Sequence, residues 1–342
     1  MAFLLIGSDQ FQHHVTPPGH PESVERGEVM SRVAAAWREQ GHATAAPRPA
    51  TREEIERAHD NGYVDAVAET SGRAVALDAD TFTSPRSYDT ARLAAGAACQ
   101  AVEHALEQDA AACALVRPPG HHAERNRAMG FCVFNNAAIA AAHALARGLS
   151  RVAIVDIDVH HGNGTQWIFY DEARVLYLSA HQFPFYPGTG AAAEIGRDAG
   201  AGTTVNVPLE SGATDADYAR VWEAIVDPVL EAFAPELLIV SAGFDAHARD
   251  PLAYMRVSTA GFGAMVRALW HRAQASSSGR IAIVTEGGYD LDALEVSLSD
   301  MLRVVDDPAT AAPWSYDGTP APRGDAAVSA VRAALRSYWP TL

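Results

Sequence analysis

Cysteine is scarce in this chain and basic residues are outnumbered. Three cysteines, Cys99, Cys113 and Cys132, are spread over 342 residues without a CxxC spacing. That excludes a disulfide-rich scaffold and predicts a reduced, cytoplasmic setting. Lys and Arg number 26 against 42 Asp and Glu, a net charge of −16. A balance of this sign argues against nucleic-acid binding by a basic face. It suits cationic small molecules or basic peptides, although solubility alone would also account for it. No apolar run reaches the ~18 residues of a membrane span. The N-terminal "MAFLLIGSDQ" lacks a basic leader and reads as a first strand, not a signal peptide. Neither an internal repeat nor a low-complexity tract is present.

What the chain does have is a series of short Val- and Ile-rich runs: 3–7, 112–116, 152–157, 175–180, 203–207, 237–242 and 281–288. Continuous apolar runs without alternation predict parallel strands buried on both faces. Helix-like stretches at 87–109, 135–148, 214–232, 258–276 and 291–305 lie between them. The alternation predicts an α/β fold, a mostly parallel sheet with helices on both sides. Residues 274–280 read as a plain turn, and 317–324 as a linker to a last helix over 325–338. The adjacent pair His13 and His14 reads as surface. Neither turn nor linker marks a boundary, so residues 1–342 read as one domain.

Polar residues crowd the ends of three of these runs. "VDIDVHHGNGT" (155–165), "SAGFDAH" (241–247) and "EGGYD" (286–290) each follow a strand. Open parallel sheets bind ligands at the carboxyl ends of their strands. In Asp158-x-His160, residues i and i+2 of a strand point to one side and can grip one ion. Asp245 is the best candidate for a third ligand, leaving one position open for water. Two carboxylates and one imidazole form a hard set, open to Zn²⁺, Fe²⁺ or Co²⁺, and the ion would acidify a bound water and polarise a carbonyl. An isolated DxH is more often a hydrogen-bonded strand end; here Asp156, "RPPGHH" and Tyr289 must be explained as well. His121 and His122 sit on a turn after the 112–116 strand. One can act as a base near neutral pH while the other supplies charge or a hydrogen bond. Tyr289 can meet a developing oxyanion. The structureless stretch 182–202 carries Phe183, Phe185 and Tyr186, which either wall a channel or pack the loop down.

Together, "HPESVER" (20–26), "SPRSYDTARLAAGA" (84–97), "RPPGHHAERNRAMGFCVFNNAAIAA" (117–141), "VDIDVHHGNGTQ" (155–166), "FYPGTG" (185–190), "SAGFDAHARDPL" (241–252) and "TEGGYDLDAL" (285–294) resemble the histone deacetylase family of the arginase/deacetylase superfamily. The resemblance spans nearly the whole chain. It implies a three-layer α/β/α sandwich and a hydrolase with one zinc-type ion per chain that removes acetyl groups from amines. By the resemblance, Asp158, His160 and Asp245 are the metal ligands, and His121 and His122 the tandem histidines. Asp156 would orient His121, and Asn163 would orient His122, the expected base. Tyr289 would polarise the acyl carbonyl. Gly130 and Phe131 form one tunnel wall, with Tyr186 where many members carry an opposing Phe. Arg26 matches an arginine tied to acetate exit. Asp156, His160 and Ser179 fall where the family holds a structural K⁺ or Na⁺.

The expected substrates are acetylated lysine peptides or small acetylated amines. Strict acetylpolyamine specificity is disfavoured because residues 59–91 run on without the insertion such enzymes carry; Asp78 and Asp80 fall near the expected rim. A ureohydrolase would need a second metal, and a non-catalytic reader of acylated ligands would not need Tyr289 with both histidines. No nucleic-acid or membrane partner is expected; self-association is possible.

Overall fold

The computed structural model describes residues 3–306 and 314–342. Ten strands occur there: β1 (Leu4–Ile6), β2 (Thr44–Ala45), β3 (Val75–Ala76), β4 (Phe82–Thr83), β5 (Ala111–Ala114), β6 (Val152–Asp156), β7 (Val175–Gln182), β8 (Thr204–Leu209), β9 (Leu237–Ala242) and β10 (Ile281–Thr285). Eight of them build one sheet in the order β2-β1-β5-β10-β9-β6-β7-β8, and every pairing in it is parallel. β3 and β4 form a separate antiparallel hairpin.

Strand geometry turns the apolar runs into two cores. Alternate side chains of β6, β9 and β10 face opposite ways. Ala153, Val155, Leu238, Val240, Ile281 and Ile283 join one buried cluster, with Val29, Phe262, Leu298 and Val331 from the helices Val24–Glu39, Thr259–Ser276, Leu291–Asp306 and Pro322–Leu335. Val152, Ile154, Leu237, Ile239, Ala282 and Val284 join the other, with Ala98, Val102 and Ile139 from Ser87–Gln108 and Asn136–Ala146. The result is the three-layer α/β/α arrangement. Each fully buried Val, Leu or Ile contributes about 1.5–3 kcal/mol.

All seven predicted strand runs are strands. The two-residue β2 and the hairpin carry too few residues for a period and escape a sequence reading. Four expectations are corrected. The last helix runs over Pro322–Leu335, three residues earlier than expected, because Pro322 fits a first helical turn. The helix Thr259–Ser276 continues into the stretch read as a turn. The 214–232 stretch is two helices, Asp215–Val221 and Asp227–Phe233, joined by a π-helical turn over Trp222–Val226. His14 is buried: its Nδ1 lies 2.7 Å from Ser87 Oγ and its Nε2 3.5 Å from Glu22.

Candidate active site

Four neighbouring strands, β5, β10, β9 and β6, end on the same side of the sheet. The loops beyond them carry His121 and His122, Tyr289, Asp245, and Asp158 with His160, respectively. β6 stops at Asp156, so Asp158 and His160 stand in a bend past the strand rather than on it. A local hydrogen bond, not pleating, aligns them: Asp158 Oδ1 accepts from the His160 backbone N at 2.9 Å, an Asx-type turn. His160 Nδ1 lies 3.2 Å from Asp158 Oδ1 and 3.1 Å from Asp245 Oδ2. One ligand atom from each of the three lies within 4.8 Å of the others, and all three residues are buried. The remaining carboxylate oxygens are fixed by backbone donors, Val159 N to Asp245 Oδ1 and Gly287 N to Asp158 Oδ2, at 2.8 and 2.9 Å. A Cβ on Gly287 would stand 2.3 Å from Asp245 Oδ2, so only glycine lets this strand end approach the carboxylates.

This donor set fits a divalent cation. Burial disfavours an imidazolium, yet Asp158 and Asp245 raise the His160 pKa to about 10. Burial and Asp158 push the Asp245 carboxyl up to about 7. Two carboxylates and one imidazole aimed at one point demand positive charge, and two oxygens with one nitrogen suit a borderline or hard ion.

The tandem histidines differ in their surroundings. His121 Nδ1 bonds Asp156 Oδ2 at 3.0 Å, an oxygen that also accepts from the Tyr177 hydroxyl at 3.1 Å. Burial opposes its charge, but Asp156 and Asp158 raise its pKa well above the ordinary imidazole value. His122 Nδ1 bonds Asn163 Oδ1 at 2.8 Å. Burial and the neighbouring His121 and His160 hold its pKa well below that value. One imidazole is kept charged and the other neutral, a division that suits paired acid and base roles.

A cavity of about 210 Å³ opens onto these groups, lined by Asp80, His122, Gly130, Phe131, His160, Phe185, Tyr186, Leu252 and Tyr289. Gly130 has φ +57°, and a Cβ there would meet the His122 ring at 2.4 Å. The Gly130 and Phe131 backbone N–H groups donate to Asp80 Oδ1 and Thr81 Oγ1, which fixes this wall. Phe185 stacks on His160 and Tyr186 meets His122 edge-on. Phe183 turns away toward His181, so the aromatic loop both walls the cavity and packs itself down. Arg26 does not line the cavity. It is fully buried and donates to the backbone oxygens of Glu286 and Gly288 and to Glu22 Oε1, with its guanidinium 5.0 Å from the Tyr289 ring centroid. Asp156 and Ser179 are register partners across β6 and β7.

Sequence reasoning gave no role to several groups that hold the site. Tyr177 braces Asp156. Asp250 Oδ2 accepts from Tyr289 N at 2.7 Å. Glu286 Oε2 accepts from Gly120 N and His121 N, and Ser241 donates to its Oε1, so one carboxylate ties three strand ends. Asn135 caps the helix Asn136–Ala146 and donates to Ala123 O at 3.1 Å. Asp250, Glu286 and Asn135 stand inside the quoted motifs, but a motif does not say which side chain faces a backbone group.

Comparison with known proteins agrees with this geometry. The Histone deacetylase domain family matches residues 20–305. An uncharacterised Synechocystis protein is 43% identical over 310 residues, covering 87% of this chain and 98% of its own. A probable deacetylase of Archaeoglobus fulgidus is 37% identical, covering 84% and 81%. A histone deacetylase-like amidohydrolase of Pseudomonas aeruginosa is 44% identical over 249 residues, covering 70% and 64%. The crystal structure of the HDA15 HD domain superposes with a TM-score of 0.91 at 35% identity, covering 99% of this chain and 96% of that one. By its sheet, its motifs and these relatives, this chain belongs to the histone deacetylase family.

Proposed function

We propose that residues 1–342 form one catalytic domain that hydrolyses the N-acetyl amide of acetyl-lysine peptides, or of related acylated amines, to free amine and acetate. The observation that carries this reading is the convergence of Asp158, His160 and Asp245, with His160, His122 and Tyr289 lining a largely apolar cavity of about 210 Å³ and His121 next to His122. A single divalent ion, zinc or its ferrous or cobaltous equivalent, would be held by those three side chains and supply Lewis acidity at the acyl carbonyl together with a water that ionises near neutral pH.

The chain's own residues do the rest. An extended aliphatic arm passes between Phe131 and Tyr186, which exclude water. Tyr289, its phenol kept neutral by burial despite the nearby Arg26, donates a hydrogen bond to the carbonyl oxygen as negative charge develops there. His122, held neutral, takes the proton from the attacking water. His121, kept cationic by Asp156, steadies the developing charge, and an imidazolium proton passes to the departing amine. Asp156, Ser179 and His160 would hold a monovalent cation behind the site. A cytoplasmic location accords with three buried free thiols; among the described residues no helix is long and apolar enough to cross a membrane.

Acetylated polyamines are the second substrate class. The 59–91 segment is occupied by the helix Asn61–Ala68 and the β3–β4 hairpin without an added element, while Asp80 offers a carboxylate at the cavity wall. The test compares kcat/KM for acetyl-lysine peptides, acetylputrescine and acetylspermidine, with Asp158→Ala as control. Peptides should lead and the control should be inactive. Turnover of none of the three by zinc-loaded protein would refute the reading.

A further inference from the structure

An asparagine presents a carbonyl on one side and an NH₂ on the other. Whichever meets an imidazole decides which ring nitrogen carries the hydrogen. For Asn163 the far side settles the matter. Its Nδ2 lies 2.8 Å from Glu124 Oε1, 3.3 Å from Met129 Sδ and 3.5 Å from the His122 carbonyl oxygen. All three are acceptors. A reversed amide would press its carbonyl against a carboxylate, a thioether and a backbone oxygen. Glu124 is the nearest of the three and the only charged one. It is itself held by two hydrogen bonds from Arg127, at 3.0 and 2.6 Å, and its side chain is 16% exposed. With the amide so fixed, Oδ1 faces His122 Nδ1 at 2.8 Å, and that nitrogen must donate.

We propose that Glu124 is a positioning residue which, through the Asn163 amide, locks His122 in the Nδ1–H tautomer and leaves Nε2 as its proton acceptor. The catalytic consequence rests on the proposed role of His122 as base; the tautomer does not. An imidazole in the wrong tautomer loses its base function even when its position is unchanged.

Three variants of the full chain test this. Glu124→Gln keeps an acceptor oxygen, Glu124→Ala removes it, and Glu124→Lys replaces it with a group that only donates and so favours the reversed amide. Long-range ¹H–¹⁵N spectra of the zinc-loaded protein, with the His122 signal identified by its loss in His122→Ala, should show Nδ1–H in the parent and in Glu124→Gln. They should show a mixture in Glu124→Ala and Nε2–H in Glu124→Lys. On an acetyl-lysine peptide, kcat should fall less than about threefold in Glu124→Gln, about tenfold in Glu124→Ala and about 100-fold or more in Glu124→Lys. KM should hardly move, because Glu124 does not line the cavity. An unchanged ring pattern in Glu124→Lys overturns the proposal. If that variant does not fold, an unchanged pattern in Glu124→Ala does so alone. If the parent turns over no acetylated amine, the functional reading fails while the spectra still decide this inference.

Discussion

His122 and His121 are chemically identical side chains one position apart, and their partners alone separate them. A neutral amide faces the first and a carboxylate the second. Asn163→Asp would give His122 a carboxylate partner as well, next to the carboxylate of Glu124. Negative charge favours imidazolium, so the His122 pKa rises. A base must be neutral to act, so the acidic limb of the kcat/KM profile should shift to higher pH, with activity lost first on the acid side. An unmoved limb would remove His122 from the role of base. Phe131 shows a constraint of another kind. It is a non-glycine residue at φ +69°, stacked edge-on against His20 and Tyr289. Left-handed backbone for such a residue costs about 1–2 kcal/mol, and the Thr81 bond to its N–H and these ring contacts hold it there.

Between elements, the buried ion pairs do the joining. Glu22, just before the helix Val24–Glu39, takes hydrogen bonds from Arg26 and from Arg117 after β5, and all three side chains are fully buried. Burial would raise the Glu22 pKa, but Arg117 and Arg26 bring it down to about 2. A carboxyl depressed in the folded state stabilises above its ordinary pKa near 4.5, and that contribution is lost as pH falls toward 2. Glu22→Ala leaves two buried guanidinium groups without their carboxylate, so unfolding should become easier by about 3–5 kcal/mol. Denaturant titration at neutral pH measures it, and a loss under about 1 kcal/mol would show that the cluster rearranges instead. The resemblance tied Arg26 to acetate exit; the structure shows it bonded to the backbone that carries Tyr289. The type of residue was legible, whereas the destination of two of its three donors depended on a loop more than 250 positions away in sequence.

At the scale of the whole molecule, charge and its chemistry set the approach of substrate. All 26 basic side chains are arginine, and the chain contains no lysine. An enzyme proposed to act on acetyl-lysine thus carries no lysine side chain of its own to be acetylated. Its net charge of −16 attracts cations over roughly a Debye length, about 8 Å at physiological salt. Peptides with arginine flanking the acetyl-lysine should therefore lose kcat/KM as ionic strength rises, and peptides with aspartate flanks should gain. Parallel salt dependence for both would show that the acidic surface plays no part in capture. The cationic product amine leaves against the same field.

The sequence by itself determined the layers and the strand ends at which the candidate site gathers. Apolar runs without alternation force strands buried on both faces, and Gly-rich, acid-rich segments after them can only be strand ends, so β5, β6, β9 and β10 and the polar residues beyond them were readable from order alone. Short pairings such as β2 carry no period, and the burial of His14 depends on Glu22 and Ser87 from elsewhere. Tertiary structure alone decided which groups orient the chemistry: Tyr177 behind Asp156, Glu286 across three loops, Glu124 behind Asn163. Each is a hydrogen bond between segments distant in sequence, and a hydrogen bond is fixed by the direction and distance of atoms, which a linear pattern of residue types does not encode.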